Sequence, residues 1–126
     1  MVGTERSFGK TSRILKNAEF RRIFKQGRRF NAPELTLVIQ SARASSNVKA
    51  RLGLSISRKV GDSPVRNQLK RRVREIFRLN QSNFEAGTDI VLVGKKETAE
   101  LGYQQLQRVF FGQCERAKAL RSGVRP

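Results

Sequence analysis

The sequence predicts an α/β fold in which amphipathic helices cover one small sheet. Three observations lead there. Residues 28–41 and 51–57 alternate apolar side chains with small or polar ones, the period of half-buried strands. Residues 89–94, DIVLVG, form a continuous apolar run, as expected for a strand buried on both faces. Between these strands, residues 58–78 read RKVGDSPVRNQLKRRVREIFR, where Val65, Leu69, Val73, Ile76 and Phe77 recur at the period of a helix with one buried side. A length of 126 residues suits one domain with one modest core.

In chain order, residues 1–13 are polar and basic and read as an arm, with Phe8 its only large apolar residue. Residues 16–27 read as a short helix, with Asn17 as N-cap, Glu19 at the positive end of the dipole and Gly27 at the C′ position. Phe20, Ile23 and Phe24 share one face of it. They are either core or, for the Phe pair, a stacking platform for unpaired bases. Residues 28–41 read as one strand, with Leu35, Leu37 and Ile39 on one face and Thr36, Val38 and Gln40 on the other. Pro33 lies near its start, where a strand tolerates proline.

A polar connection with a turn at 45–47 leads to residues 51–57. There Leu52, Leu54 and Ile56 oppose the small residues Gly53, Ser55 and Ser57. Such a bare face admits another backbone or a ligand, and the short spacing suggests an antiparallel pair with the preceding strand. Ser63 suits the N-cap of the basic helix and Pro64 its first position. Residues 80–88 form a loop with a helical start, 98–101 a single turn, and Tyr103 to Leu120 a long amphipathic helix. The strand–helix–strand passage from 51 to 94 makes its two strands parallel or in one sheet.

Charge narrows the function. Lys and Arg number 27 against 10 Asp and Glu, a net charge of +17 with a pI near 11.6. Self-repulsion on that scale disfavours the compact state unless a polyanion relieves it, which points to nucleic acid first and an anionic membrane surface second. Residues 58–78 alone carry eight cations and two anions. Arg66, Lys70 and Arg74 form one row along this helix, and Asn67, Arg71 and Arg78 a neighbouring one. Solvated helices usually mix signs, so so uneven a surface argues for phosphate.

The chain has no His and a single Cys, Cys114, which excludes an internal disulfide, a Cys/His zinc site and His-based nuclease chemistry. The carboxylates are scattered, and no glycine-rich phosphate loop is present. We therefore assign the protein no catalytic residue and no metal ligand of its own. No apolar run reaches a membrane span, and residues 1–13 lack the apolar stretch of a secretory signal, so a cytoplasmic protein without a membrane partner is expected.

The central motif resembles that of a known family. Lys59-Val60-Gly61, then Arg66-Asn67, Lys70-Arg71 and Arg74, are similar to the signature of the bacterial ribonuclease P protein subunit. Glu19-Phe20, Ile23-Phe24 and Gly27 resemble its first helix, and residues 51–57, DIVLV and the helix from Tyr103 its later elements. The resemblance covers residues 14–119. It implies an α+β two-layer sandwich in the order helix–strand–strand–helix–strand–helix, like the second domain of a small-subunit ribosomal protein, with a left-handed β-α-β crossover. It implies one RNA-binding domain over residues 1–126, with an arm at 1–13, a body at 14–119 and a tail at 120–126.

The resemblance also implies a function. The family's holoenzyme is an endonuclease that removes the 5′ leader of precursor tRNA. Its RNA subunit is the catalyst with magnesium ions, and the protein binds that RNA and the leader as a monomer within the ribonucleoprotein. Carried over, Arg58, Lys59, Arg66, Asn67, Gln68, Lys70, Arg71 and Arg74 contact RNA, while Phe20, Phe24, Val38 and Ser55 line the leader cleft. Gln68 stands where the family usually has a second Arg, and Val38 where some members have an aromatic. A ribosomal or general RNA-binding structural protein is the competing reading of the same basic composition.

Overall fold

A computed structural model describes residues 13–40 and 49–120 of the chain. The expected arm up to residue 12, the turn at 45–47 and the tail from residue 121 lie outside the described residues. The alternating segments and the apolar run assemble into one mixed sheet. Strands β1 (Arg28–Asn31), β2 (Leu35–Gln40), β3 (Arg51–Ser55) and β4 (Asp89–Gly94) lie in the order β1-β2-β4-β3. Helix α1 spans Asn17–Gln26, the basic helix α2 Ser63–Asn80, the single turn α3 Lys96–Ala99 and the last helix α4 Tyr103–Arg116. Short 3₁₀ turns at Arg58–Val60 and Gln81–Asn83 flank α2.

This is the mixed α+β architecture expected, with two corrections to the strands. Residues 28–41 are not one strand. Pro33 lacks an N–H for the ladder, so the chain turns there, Ala32 N donates to Leu35 O at 2.9 Å, and β1 folds back antiparallel on β2. The strands at 35–40 and 51–55 are also not neighbours, because β4 lies between them, antiparallel to β2 and parallel to β3. The physical reason is burial. Ile90, Val91 and Leu92 are apolar on both faces and belong in the interior, whereas β3, with Gly53 and Ser55 on one face, can take an edge. That edge is closed by the chain itself, since Ile14 N donates to Leu52 O at 2.9 Å.

The two faces hold separate clusters. Leu35, Leu37, Ile39, Leu52, Ile90 and Leu92 meet Leu69, Val73, Ile76 and Phe77 of α2 and Leu106, Phe110 and Cys114 of α4. Phe84 joins this core, its ring centroid 5.0 Å from Phe77 and 6.0 Å from Phe111. On the opposite face α1 covers a smaller cluster of Ile14, Ile23, Val38 and Val91. Cys114 is fully buried, and burial pushes its thiol well above the ordinary value, so it packs as an apolar side chain. Val65 and Tyr103, both expected on buried stripes, are exposed at the first turns of their helices.

Helix ends also depart from expectation. The cap of α2 is Asp62, whose carboxylate accepts from Val65 N at 3.2 Å, and Ser63 Oγ instead accepts from Arg66 Nη2 at 3.0 Å. Asn17 begins α1 without a side-chain cap bond. Gly27 has φ −77°, so it is not a left-handed terminator. It is glycine because a Cβ there would lie 2.6 Å from Ile23 O and 2.9 Å from Val38 Cγ1.

Charged side chains lock α1 to the sheet. Asp89, wholly buried, accepts from Arg51 Nε at 2.9 Å and Arg51 Nη2 at 3.0 Å, and from Arg22 Nη2 at 3.0 Å. Arg51 Nη1 reaches Glu19 at 2.8 Å. The hydrogen bond to Asp89 is the main cause that holds the Arg51 guanidinium charged above its ordinary range. Burial raises the Glu19 carboxyl, but the hydrogen bond and charge of Arg51, with Arg22 and Lys16, outweigh it and leave the group below the ordinary 4.5.

Two outcomes are expected. Asp89→Ala leaves buried Arg51 short of its partner and costs about 3–5 kcal/mol in urea denaturation. Glu19 is depressed in the folded state, so its contribution is present above its unfolded value and is lost as pH falls through the lower folded one. The melting-temperature gap between wild type and Glu19→Gln therefore closes below about pH 4.5.

Candidate nucleic-acid interface

Helix α2 turns Leu69, Val73, Ile76 and Phe77 inward, so its remaining faces must carry its cations outward. Five of the six residues of the two rows read from spacing come together. Asn67, Lys70, Arg71, Arg74 and Arg78 line one groove of about 460 Å³ together with Arg13 and Glu75. Glu75 accepts from Arg78 Nε at 2.9 Å and also from its Nη2, so this carboxylate is engaged with one of the cations beside it. A second, narrower groove of about 180 Å³ runs between the chain before α1 and α2. Its floor is Ile14, Phe20, Leu52 and Leu54, and its rim holds Arg13, Lys70 and Arg74. Partial burial, then the nearby charge of Arg13, lowers the Arg74 guanidinium below its ordinary value.

The remaining predicted cations fall outside both grooves. Arg58 and Lys59 are exposed on the 3₁₀ turn before α2. Arg66 is half-buried at the first turn, and its Nε is buried without a hydrogen-bond partner among the described residues. Gln68 is exposed and is not among the residues that line either groove. Arg72, one of the eight cations of residues 58–78, donates to Leu101 O at 3.3 Å and ties α2 to the turn before α4.

The face of the sheet beneath α1 supplies the aromatic part. Strand register sets two rows across it: Arg29–Val38–Val91–Gly53, and Asn31–Thr36–Val93–Ser55. Helix α1 covers the first. Val38 is fully buried there against Ile23, so it does not line an open cleft, contrary to the sequence expectation. In the second row Thr36 is buried, whereas Ser55 and Val93 are half-buried, as are Phe20 and Phe24, which pack with Val93 against the cluster under α1. These rings stack with centroids 6.4 Å apart, and the Arg29 guanidinium sits 5.7 Å from the Phe24 centroid. Val93, rather than Val38, is the partly accessible valine of this sheet face. Arg13 and Val93 were both missed from the sequence; for Val93 a signal existed in the alternation of DIVLVG.

At Gly53 the bare face of β3 receives a side chain. A Cβ on Gly53 would lie 2.9 Å from Phe20 Cε1 and Cζ. Glycine at 53 therefore sets how deeply Phe20 seats. Among the described residues, no group of three or more His, Cys, Asp or Glu assembles, and no helix is long and apolar enough to cross a membrane.

Sequence and structure comparisons agree on one family. Its sequence model, described as Ribonuclease P, matches residues 8–118. The ribonuclease P protein component of Finegoldia magna is 34% identical over 108 residues, covering 86% of this chain and 92% of that protein. This chain belongs to the ribonuclease P protein component family. Solved members share its fold. A Staphylococcus aureus RNase P protein mutant, described as defective in mRNA degradation activity, superposes with TM-score 0.80 at 29% identity, covering 89% of this chain and 92% of that one. The RNase P protein from Thermotoga maritima gives 0.73 at 29% identity, covering 82% and 96%.

For this ribonuclease P protein component, Gly53→Ala is expected to lift the Phe20 ring and cost about 1–3 kcal/mol of stability by overpacking. Chemical denaturation reads that loss.

Proposed function

We propose that this ribonuclease P protein component holds two nucleic acids at once: the catalytic RNA and the single-stranded 5′ leader of precursor tRNA. The observation that carries the reading is the continuity of the surface. The groove-lining cations of α2 run through Lys70 and Arg74 into a groove floored by Phe20, and Phe20, seated at Gly53, stacks with Phe24. Cations position phosphates, and aromatic faces accept unpaired bases at about 1–3 kcal/mol each, without reading base edges. Leader recognition is accordingly tolerant of sequence.

In this reading cleavage belongs to the RNA subunit, with magnesium ions on its phosphate oxygens. The protein lowers the magnesium requirement because its cations reduce repulsion between two polyanions. It acts as a monomer in the ribonucleoprotein.

Reconstitution with the catalytic RNA tests this. Protein alone is expected to leave precursor tRNA intact, whereas adding it to the RNA rescues cleavage at low magnesium. Lys70→Ala with Arg74→Ala is expected to weaken binding of a precursor with a leader more than that of mature tRNA, and to flatten the salt dependence by about 1–2 units of slope. Equal losses for both tRNAs would assign these residues to the catalytic RNA alone. Failure to rescue would favour a general RNA-binding structural role.

A further inference from the structure

We propose that Arg13, Lys70 and Arg74 form a single three-cation site for one RNA phosphate, so that the RNA-binding surface includes an arginine from outside the basic helix. The inference rests on the RNA-binding reading above and extends it to a residue that the family signature does not contain.

Three observations carry it. First, the wide groove along α2 and the narrow groove at the β3 edge have only these three residues in common, so the cations stand where one groove opens into the other. A nucleic-acid backbone that follows both must pass them. Second, Arg13 is held by its backbone. It bridges Leu52 in parallel fashion, the next residue donates from Ile14 N to Leu52 O at 2.9 Å, and the Ile14 side chain is buried under α1. The guanidinium therefore extends from a fixed point on the sheet edge and loses less freedom on binding than one on a loose chain end. Third, Arg13 bears on Arg74 closely enough to disfavour its charge, although both are cations. A phosphate between them turns that repulsion into two charge-assisted contacts.

The surroundings define the ligand further. The narrow groove has an apolar floor of Phe20, Leu52 and Leu54, and its 180 Å³ falls below the range of drug-sized pockets. It suits the sugar or base of one nucleotide, with the phosphate at the mouth.

The test measures precursor-tRNA binding by the reconstituted holoenzyme across a salt series, for wild type, Arg13→Ala, Arg13→Lys, Arg74→Ala and the Arg13→Ala/Arg74→Ala double variant. Arg108→Ala, an exposed cation on α4, controls for the loss of one charge. Arg13→Ala is expected to weaken binding about five- to tenfold near physiological salt, as for loss of a charged hydrogen bond, and to reduce the salt slope by about 0.7–0.9. Arg13→Lys restores the slope but only part of the affinity, because ammonium keeps charge without the bidentate fork. The double variant loses clearly less than the product of the single losses, because both side chains hold one phosphate. If Arg13→Ala behaves like Arg108→Ala, or if the two losses multiply in full, the shared site is overturned. Should Arg13→Ala fail a thermal-melt check of folding, Arg13→Gln takes its place with the same expected slope. A wild-type protein that binds no RNA sinks the functional reading itself. Wild-type binding with a silent Arg13 sinks only this extension.

Discussion

The seat of α1 depends on one buried carboxylate. Asp89 begins the central strand β4, takes two hydrogen bonds from Arg51 on β3 and one from Arg22 on α1, and is wholly shielded from water. A charge in such a place is tolerable only with its partners present, so it dictates where they stand. Arg51 in turn reaches Glu19, which pins the first turn of α1 as well as its middle. With α1 held at this end of the sheet, one row of residues is covered and the next left partly accessible. The positions of Phe20 and Phe24 follow from that placement, and so does the shape of the aromatic cleft.

Electrostatics works in opposite senses on the two sides of the molecule. Around Asp89 opposite charges are matched, buried and hydrogen-bonded, and they give α1 a fixed orientation. Along α2 the cations crowd together with Glu75 as the one carboxylate lining their groove, and that carboxylate is engaged with Arg78. The first arrangement is satisfied within the chain. The second leaves an excess of positive charge on one surface, in a protein whose net charge is +17.

Much of this was legible in the sequence because it is local. Helical period placed Lys70, Arg71 and Arg74 on one surface of α2, and the uniform apolar run of residues 89–94 identified an interior strand. What failed was non-local. The insertion of β4 between β2 and β3 pairs residues about 50 positions apart, and spacing argues for the nearer partner. The face of Val38 was correctly separated from that of Leu37, but only the seat of α1 determines which residues of that face are covered. Arg13 is remote from α2 in sequence and reaches it through backbone pairing at the sheet edge, which no local pattern records. Gln68, where the family usually has a second Arg, lines neither groove.

The pairing of Ile14 with Leu52 has a consequence for colloidal behaviour as well. A mixed sheet has two outer strands, each a template on which a second molecule can add. On β3 that row of backbone groups is occupied in part by the protein's own preceding segment. On β1 the outer strand is four residues long and carries two adjacent arginines, Arg28 and Arg29, both exposed. One edge is blocked by the chain and the other by shortness and like charge. The molecule thus guards against strand-to-strand aggregation while leaving its cationic helix open to RNA.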